Sequence, residues 1–273
     1  VPELPEVETV RSGLDTALKG AVIRKVTLRR RDLRIPFPKG LAETLEGRRI
    51  TGVGRRAKYL LFSLDSDDMV IAHLGMSGRF SVEPKAPKAF ATHDHVVMEM
   101  KDGRVAIYND ARRFGLITTA KAAKINRHPL FCKLGPEPLG KDFTPAYLKG
   151  ELARRSSAIK VALMDQALVV GVGNIYASEA LFLAGIDPRK PAKSVASQAP
   201  ILVETICRVL NDAIASGGSS LRDFLHVSGE SGYFQHRFNT YGRKGESCFQ
   251  CHKPIHSLRQ AGRSTFYCAH CQK

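Results

Sequence analysis

Two C-x-x-C pairs near the end of the chain constrain its fold more than any other feature. Cys248 and Cys251 frame CFQC, Cys268 and Cys271 frame CAHC, and sixteen residues separate the pairs. Each pair can set two thiolates on one side of a metal, and together they complete a tetrahedral four-sulfur site. Soft thiolates suit Zn²⁺ or an iron–sulfur centre, and a small basic hairpin between the pairs favours one structural Zn²⁺. All four positions are filled by protein, which leaves none open for a substrate. A redox dithiol explains either pair alone but not both at this spacing. The intervening SLRQAGRSTFY places Arg259 and Arg263 on either side of an expected turn. A guanidinium there can meet a phosphate with two parallel hydrogen bonds.

The other two cysteines, Cys132 and Cys207, lie singly in mostly apolar surroundings. Six cysteines in 273 residues are too few for a disulfide scaffold, so the pattern reads as metal ligation in a reducing, intracellular compartment. Lys and Arg total 42 against 26 acids, a net charge of +16. A polyanionic partner follows, nucleic acid ahead of an anionic membrane, with a basic surface kept for solubility as the plain competitor. No run approaches the ~18 apolar residues of a membrane span, and the first twenty residues hold no basic-then-apolar signal segment.

Along the chain, Val7, Val10, Leu14 and Leu18 recur at helical spacing, predicting a short helix that begins just after Pro5. Thereafter AVIRKVTL, KYLLFSL, MVIAHLG, HVVMEM and RVAIYND are short extended runs with no helix-length pattern between them. That texture predicts a sandwich or barrel rather than βαβ units. NRHPLFCKLGPEPLGKDFTP, residues 126–145, carries four prolines and reads as a linker. Helical spacing follows in TPAYLKGELARR, SSAIKVALMDQALV, GNIYASEALFLAG and APILVETICRVLNDAIAS. The Gly/Ser/His-rich segment after them is too polar for a packed helix and reads as an exposed loop.

The opening VPELPEVETV concentrates prolines and carboxylates in a basic chain. Glu6 and Glu8 fit the first turn of a helix, where the dipole favours negative charge. A proline whose nitrogen is terminal is also a secondary amine, a potential nucleophile beside those acids.

In this order PELPEVET, RRAKYLL, HLGMSGRF, HDHV, ND followed by ARRFG, LGPEPL, MDQALVVGVGNIYASEALF, GYFQHRFNTYGRKG and the cysteine ribbon closely resemble the bacterial formamidopyrimidine-DNA glycosylase family. The likeness runs over essentially the whole chain. It implies an α+β multidomain fold: an N-terminal β-sandwich flanked by helices, a helix–two-turns–helix domain and a C-terminal zinc-ribbon finger. The expected boundaries are 1–125 for the catalytic sandwich, 126–145 for the linker, 146–239 for the helical domain with its lesion-capping loop, and 240–273 for the finger. The implied activity is removal of oxidised purines (8-oxoguanine, formamidopyrimidines) from double-stranded DNA, then β,δ-elimination at the abasic site. The resemblance further implies a cytoplasmic bacterial monomer without a membrane partner.

Carried over residue by residue, the resemblance makes Pro2 the amine that attacks C1′ and forms the iminium. Glu3 becomes the neighbouring acid/base, with Glu6 in support. Lys58 assists proton transfer and phosphate binding, and Arg263 clamps phosphates with a part in δ-elimination. Lys160 and Asn174 grip the backbone around the lesion, and His93, Arg113 and Ser156 fall at further DNA contacts. Met76, Arg112 and Phe114 match a wedge that fills the space of an everted nucleotide. The capping segment runs from Ser219 and Ser220 to Tyr241. Val1 departs from the pattern, because an acylated Pro2 nitrogen cannot form an iminium. A catalytically silent lesion-binding protein is therefore one alternative. An endonuclease VIII-like enzyme acting on oxidised pyrimidines is another, and a general zinc-ribbon RNA-binding module a third.

Overall fold

A computed structural model describes residues 2–219 and 234–273, the side chains of Gln235 and His236 excepted. The chain divides into two compact units, Val1–Cys132 with Gly217–Tyr233, and Lys133–Ser216 with Phe234–Lys273. The break after Cys132 falls within the proline-rich stretch 126–145.

In the first unit, helix α1 (Leu4–Leu18) starts earlier than its apolar spacing predicts. Pro5 sits inside the first turn, where its missing N–H is no loss, and Glu3 is the N-cap. A reciprocal capping box forms: Glu3 N–H donates to Glu6 Oε2 at 2.9 Å, and the Glu3 carboxylate accepts from the Glu6 backbone N–H. Val7, Val10, Leu14 and Leu18 form the buried stripe.

Eight strands follow: β1 (Ile23–Leu28), β2 (Ile50–Arg56), β3 (Tyr59–Leu64), β4 (Asp68–His73), β5 (Arg79–Glu83), β6 (Asp94–Met100), β7 (Val105–Asn109) and β8 (Leu116–Lys121). A short helix, α2 (Leu41–Leu45), lies between β1 and β2. The strands form two antiparallel four-stranded sheets, ordered β1-β6-β7-β5 and β2-β3-β4-β8. Leu60, Phe62 and Leu64 alternate inward on β3 and share one core with Val96 and Met98 of β6 and the α1 stripe. The extended runs singled out in the sequence supply five of these strands. β2, β5 and β8 escape the pattern because ITGVGRR, RFSVE and LITTAK are polar or glycine-broken. β2 also carries a register irregularity between Ile50 and Gly52.

The second unit is built from α3 (Pro145–Ala153), α4 (Ile159–Leu163), α5 (Asn174–Leu183) and α6 (Ala199–Ala215). Thr144 caps α3, its hydroxyl oxygen accepting the Tyr147 N–H at 3.1 Å. The periodic stretch SSAIKVALMDQALV yields only the five residues of α4. Beyond Leu163 the chain turns, held by the Gln166 side chain, which accepts from Gly171 N–H at 2.8 Å and donates to the carbonyls of Met164 and Val172, each at 3.1 Å. Those turns, not a longer helix, deliver Asn174 to the start of α5. A hairpin of β9 (His256–Gln260) and β10 (Arg263–Tyr267) closes the unit. Among the described residues, no helix is long and apolar enough to cross a membrane.

Candidate nucleic-acid interface and zinc centre

The amino-terminal acids have separate structural tasks. Glu3 and Glu6 are both buried, and Pro2 is half-buried beside them. Glu6 Oε1 accepts from the backbone N–H and the hydroxyl of Ser219, each at 2.8 Å. Gly218, at φ 76°, passes so close that a Cβ there would lie 3.2 Å from Glu6 Oε1. Glu8 instead pairs with Arg55 and Arg11, each at 2.7 Å. Val1 and Ser220 lie outside the described residues, as does the expected capping segment through Tyr233.

Lys58 is not within a strand. It shares the two-residue turn between β2 and β3 with Ala57, whose φ of 53° is unusual for a residue with a side chain. On β4, directly opposite Tyr59, stands His73, which the sequence reading did not single out. Its ring lies 4.8 Å from that of Tyr59, and its Nδ1 accepts the Gly75 N–H at 2.9 Å. Burial, then the charges of Lys58 and Arg34, push its pKa down to about 4. The ring is therefore neutral at pH 7, with its proton on Nε2. HLGMSGRF concealed this residue because its strand pattern gives the histidine an ordinary place at a strand end.

The two loops expected to carry the wedge meet at glycines. A Cβ on Gly75 (φ 62°) would collide with the backbone of Phe114 and Gly115, and one on Gly115 would collide with the Tyr108 hydroxyl. This close approach brings the Met76 loop against the loop carrying Arg112 and Phe114. Phe114 is 47% exposed, an unusual place for a large apolar ring, and the Arg112 guanidinium lies 4.9 Å from its centre. Met76 is half-buried, while His93, Arg112 and Arg113 are exposed. Arg113 has φ 59°.

In the second unit Lys160, expected to grip the DNA backbone together with Asn174, is enclosed by protein oxygens. It is 1% exposed, and its ammonium donates to Asn174 Oδ1 at 2.6 Å, Thr265 Oγ1 at 2.8 Å and the Ser264 carbonyl at 2.9 Å. It thus ties α4 to the start of α5 and to β10, next to Arg263. With its oxygen held, the Asn174 amide presents Nδ2, which lies 3.5 Å from the Tyr241 hydroxyl. Buried Glu179 of α5 fixes the chain before the finger, accepting backbone N–H groups of Asn239, Thr240 and Tyr241 at 2.7–2.9 Å. Arg263 and Ser156 are exposed. Arg263 follows a turn in which Ala261 (φ 46°) and Gly262 (φ 75°) are both left-handed. Lys58, Phe114 and Arg263 thus each stand within two residues of a strained non-glycine position, a placing common at functional sites.

The four cysteine sulfurs all lie within 4.8 Å of one another. The Cys248–Cys271 and Cys251–Cys268 separations are 3.9 and 3.4 Å, against about 3.8 Å for sulfurs placed ~2.3 Å from a tetrahedral Zn²⁺. The four residues fit one structural Zn²⁺. Phe182 of α5 and Ile255 pack against Cys248 and Cys268, seating the centre on the helix.

Three family models match in succession: Formamidopyrimidine-DNA glycosylase N-terminal domain over residues 1–117, its H2TH domain over 134–225, and the zinc finger found in FPG and IleRS over 245–273. This chain belongs to the formamidopyrimidine-DNA glycosylase family. Formamidopyrimidine-DNA glycosylases of Azorhizobium caulinodans and Bartonella henselae are 48% and 45% identical to it, each alignment covering 100% of both chains. Among solved structures, Lactococcus lactis Fpg in complex with DNA containing N7-benzyl-Fapy-dG superposes with a TM-score of 0.91 at 35% identity, covering 100% of both chains. MutM (Fpg) of Thermus thermophilus gives 0.87 at 38%, covering 99% of this chain and 98% of the other. The fold of the family, with its N-terminal β-sheets, helical H2TH domain and zinc finger, is therefore that of this chain.

Proposed function

We propose that this chain is a base-excision DNA glycosylase acting on oxidised purines in duplex DNA, and that it also cleaves the strand at the abasic site. The observation that carries the reading is the Glu3–Glu6 capping box, which holds a buried carboxylate next to Pro2. With its nitrogen free, Pro2 attacks C1′, the base departs, and the amine and C1′ share a cationic iminium. That cation acidifies the C2′ hydrogen, so the 3′ phosphate leaves by β-elimination, and δ-elimination releases the 5′ phosphate. Glu3 exchanges protons at the sugar ring oxygen. Lys58 and Arg263 hold phosphates, and the neutral His73 offers its Nε2–H to the same backbone. Lys160 orients Asn174 and the strand after Arg263 rather than touching DNA itself. His93, Arg113 and Ser156 add outer contacts, and Tyr241 lies at the end of the capping segment. The protein works as a monomer in the bacterial cytoplasm.

Borohydride trapping on a duplex containing 8-oxoguanine, with intact-protein mass, tests this. A covalent adduct on the peptide beginning at Pro2 supports the reading. Protein with Pro2 terminal that binds the duplex but neither excises nor traps would overturn it. If Val1 remains attached, the chain binds lesion DNA without reacting.

A further inference from the structure

Asp110 is fully buried, lies between the two wedge loops and has no part in the chemistry above. Its Oδ1 accepts the Ser77 hydroxyl at 2.7 Å. Its Oδ2 accepts the Gly115 N–H at 2.9 Å and the Tyr108 hydroxyl at 3.3 Å. Ser77 directly follows Met76, and its oxygen in turn accepts the Arg112 N–H at 3.0 Å. Gly115 directly follows Phe114. One carboxylate therefore holds the residue after Met76 with one oxygen and the residue after Phe114 with the other, and reaches Arg112 through Ser77. Behind it, buried His95 meets the Asp110 carbonyl through Nε2 at 2.8 Å. Burial pushes the Tyr108 phenol pKa up, and the Asp110 charge adds to this, so the hydroxyl remains a donor to the carboxylate.

We propose that Asp110 is a positioning residue that locks Met76, Arg112 and Phe114 into one rigid wedge, so that eversion in duplex DNA depends on a carboxylate that touches no DNA. The inference rests on reading those three side chains as the wedge. Phe114 is 47% exposed, with the Arg112 guanidinium 4.9 Å from its ring, so the backbone of this loop sets where both side chains stand. That backbone is tied down by charge-assisted hydrogen bonds, which are stronger than neutral ones. Asparagine keeps the shape of Asp110 but can accept at one oxygen only, so the Ser77 link or the Gly115 link must reverse or break.

The test compares excision of 8-oxoguanine from duplex with adduct formation on a single-stranded abasic oligonucleotide, which has no stack to fill. We expect D110N to lower the duplex-to-single-strand activity ratio about tenfold, with the opposite base less unstacked as read by 2-aminopurine fluorescence. In an F114A background, D110N should change the ratio less than about twofold, since the two act through one element. Equal loss on both substrates, an unchanged ratio, or full multiplicative loss in the double variant would overturn the proposal. F114A alone reports on the underlying reading: without a duplex-specific loss there, the wedge itself is wrong and this inference falls with it. Should D110N not fold, S77A removes the links to the Met76 side and to the Arg112 N–H while leaving the Gly115 bond, and carries the same expected ratio and the same contrary outcomes.

Discussion

Glu6 and Ser219 are joined by two hydrogen bonds of 2.8 Å across 213 residues of sequence. The other oxygen of the same carboxylate holds the N–H of Glu3 at 2.9 Å. A single buried group thereby sets the backbone beside Pro2 and fastens the chain at Ser219.

Glu6→Gln places an amide NH₂ against one of those donors. A buried donor left without an acceptor costs about 1–3 kcal/mol. Chemical denaturation should show a loss of that size, and the yield of borohydride-trapped adduct at Pro2 should fall. A variant as stable and as reactive as the parent would show that this carboxylate positions nothing.

The amino terminus itself can be tested with two homogeneous preparations, distinguished by mass. Protein with Pro2 terminal should trap on both lesion and abasic DNA. Protein retaining Val1 should bind the same DNA and form no adduct there, because an amide nitrogen has no available lone pair. Full trapping by the Val1 form on its amino-terminal peptide would eliminate the proline route.

His73 gives a stability signature in acid. Its pKa is lowered from 6.5 to about 4 in the fold, so between those values the unfolded chain binds more protons. The contribution is complete above pH 6.5 and is lost as pH falls toward about 4, with an upper size of ~3 kcal/mol. Subtracting the pH profile of His73→Gln from that of the parent isolates it from the carboxylates. A flat difference between pH 4 and 6.5 would exclude a neutral imidazole at this site.

Metal should be present at about one zinc per chain. Cys248→Ser or Cys268→Ser should release it and unfold the β9–β10 hairpin, since metal binding and folding are coupled at such sites. Arg263 and the Lys160 acceptors Ser264 and Thr265 lie on that hairpin. DNA affinity should therefore fall with the metal, read by elemental analysis and binding on the same samples.

Binding to undamaged duplex should weaken steeply with salt, given a net charge of +16. With six or more phosphates neutralised, affinity should drop about 10³-fold between roughly 50 and 200 mM. A shallow slope would contradict the electrostatic reading of the chain.

Features whose information is local can be read directly from the order of residues. The cysteine spacing names its ligands because a metal needs only four sulfurs on a short hairpin. The α1 stripe and the alternation of β3 are likewise written in residue periodicity, which records whether a side chain faces the core. The partnerships between distant side chains arise only in the folded chain. Lys160 has the composition of a surface cation, yet three oxygens from α5 and β10 enclose its ammonium. Asp110, His73 and Glu179 sit in unremarked places along the chain, and their roles come from groups brought near by strand order and helix turns. Strands β2, β5 and β8 carry weak patterns and are held by pairing to β3, β7 and β4. Periodicity tells which way a residue points, but a hydrogen bond between distant segments exists only once the topology has set donor and acceptor 3 Å apart.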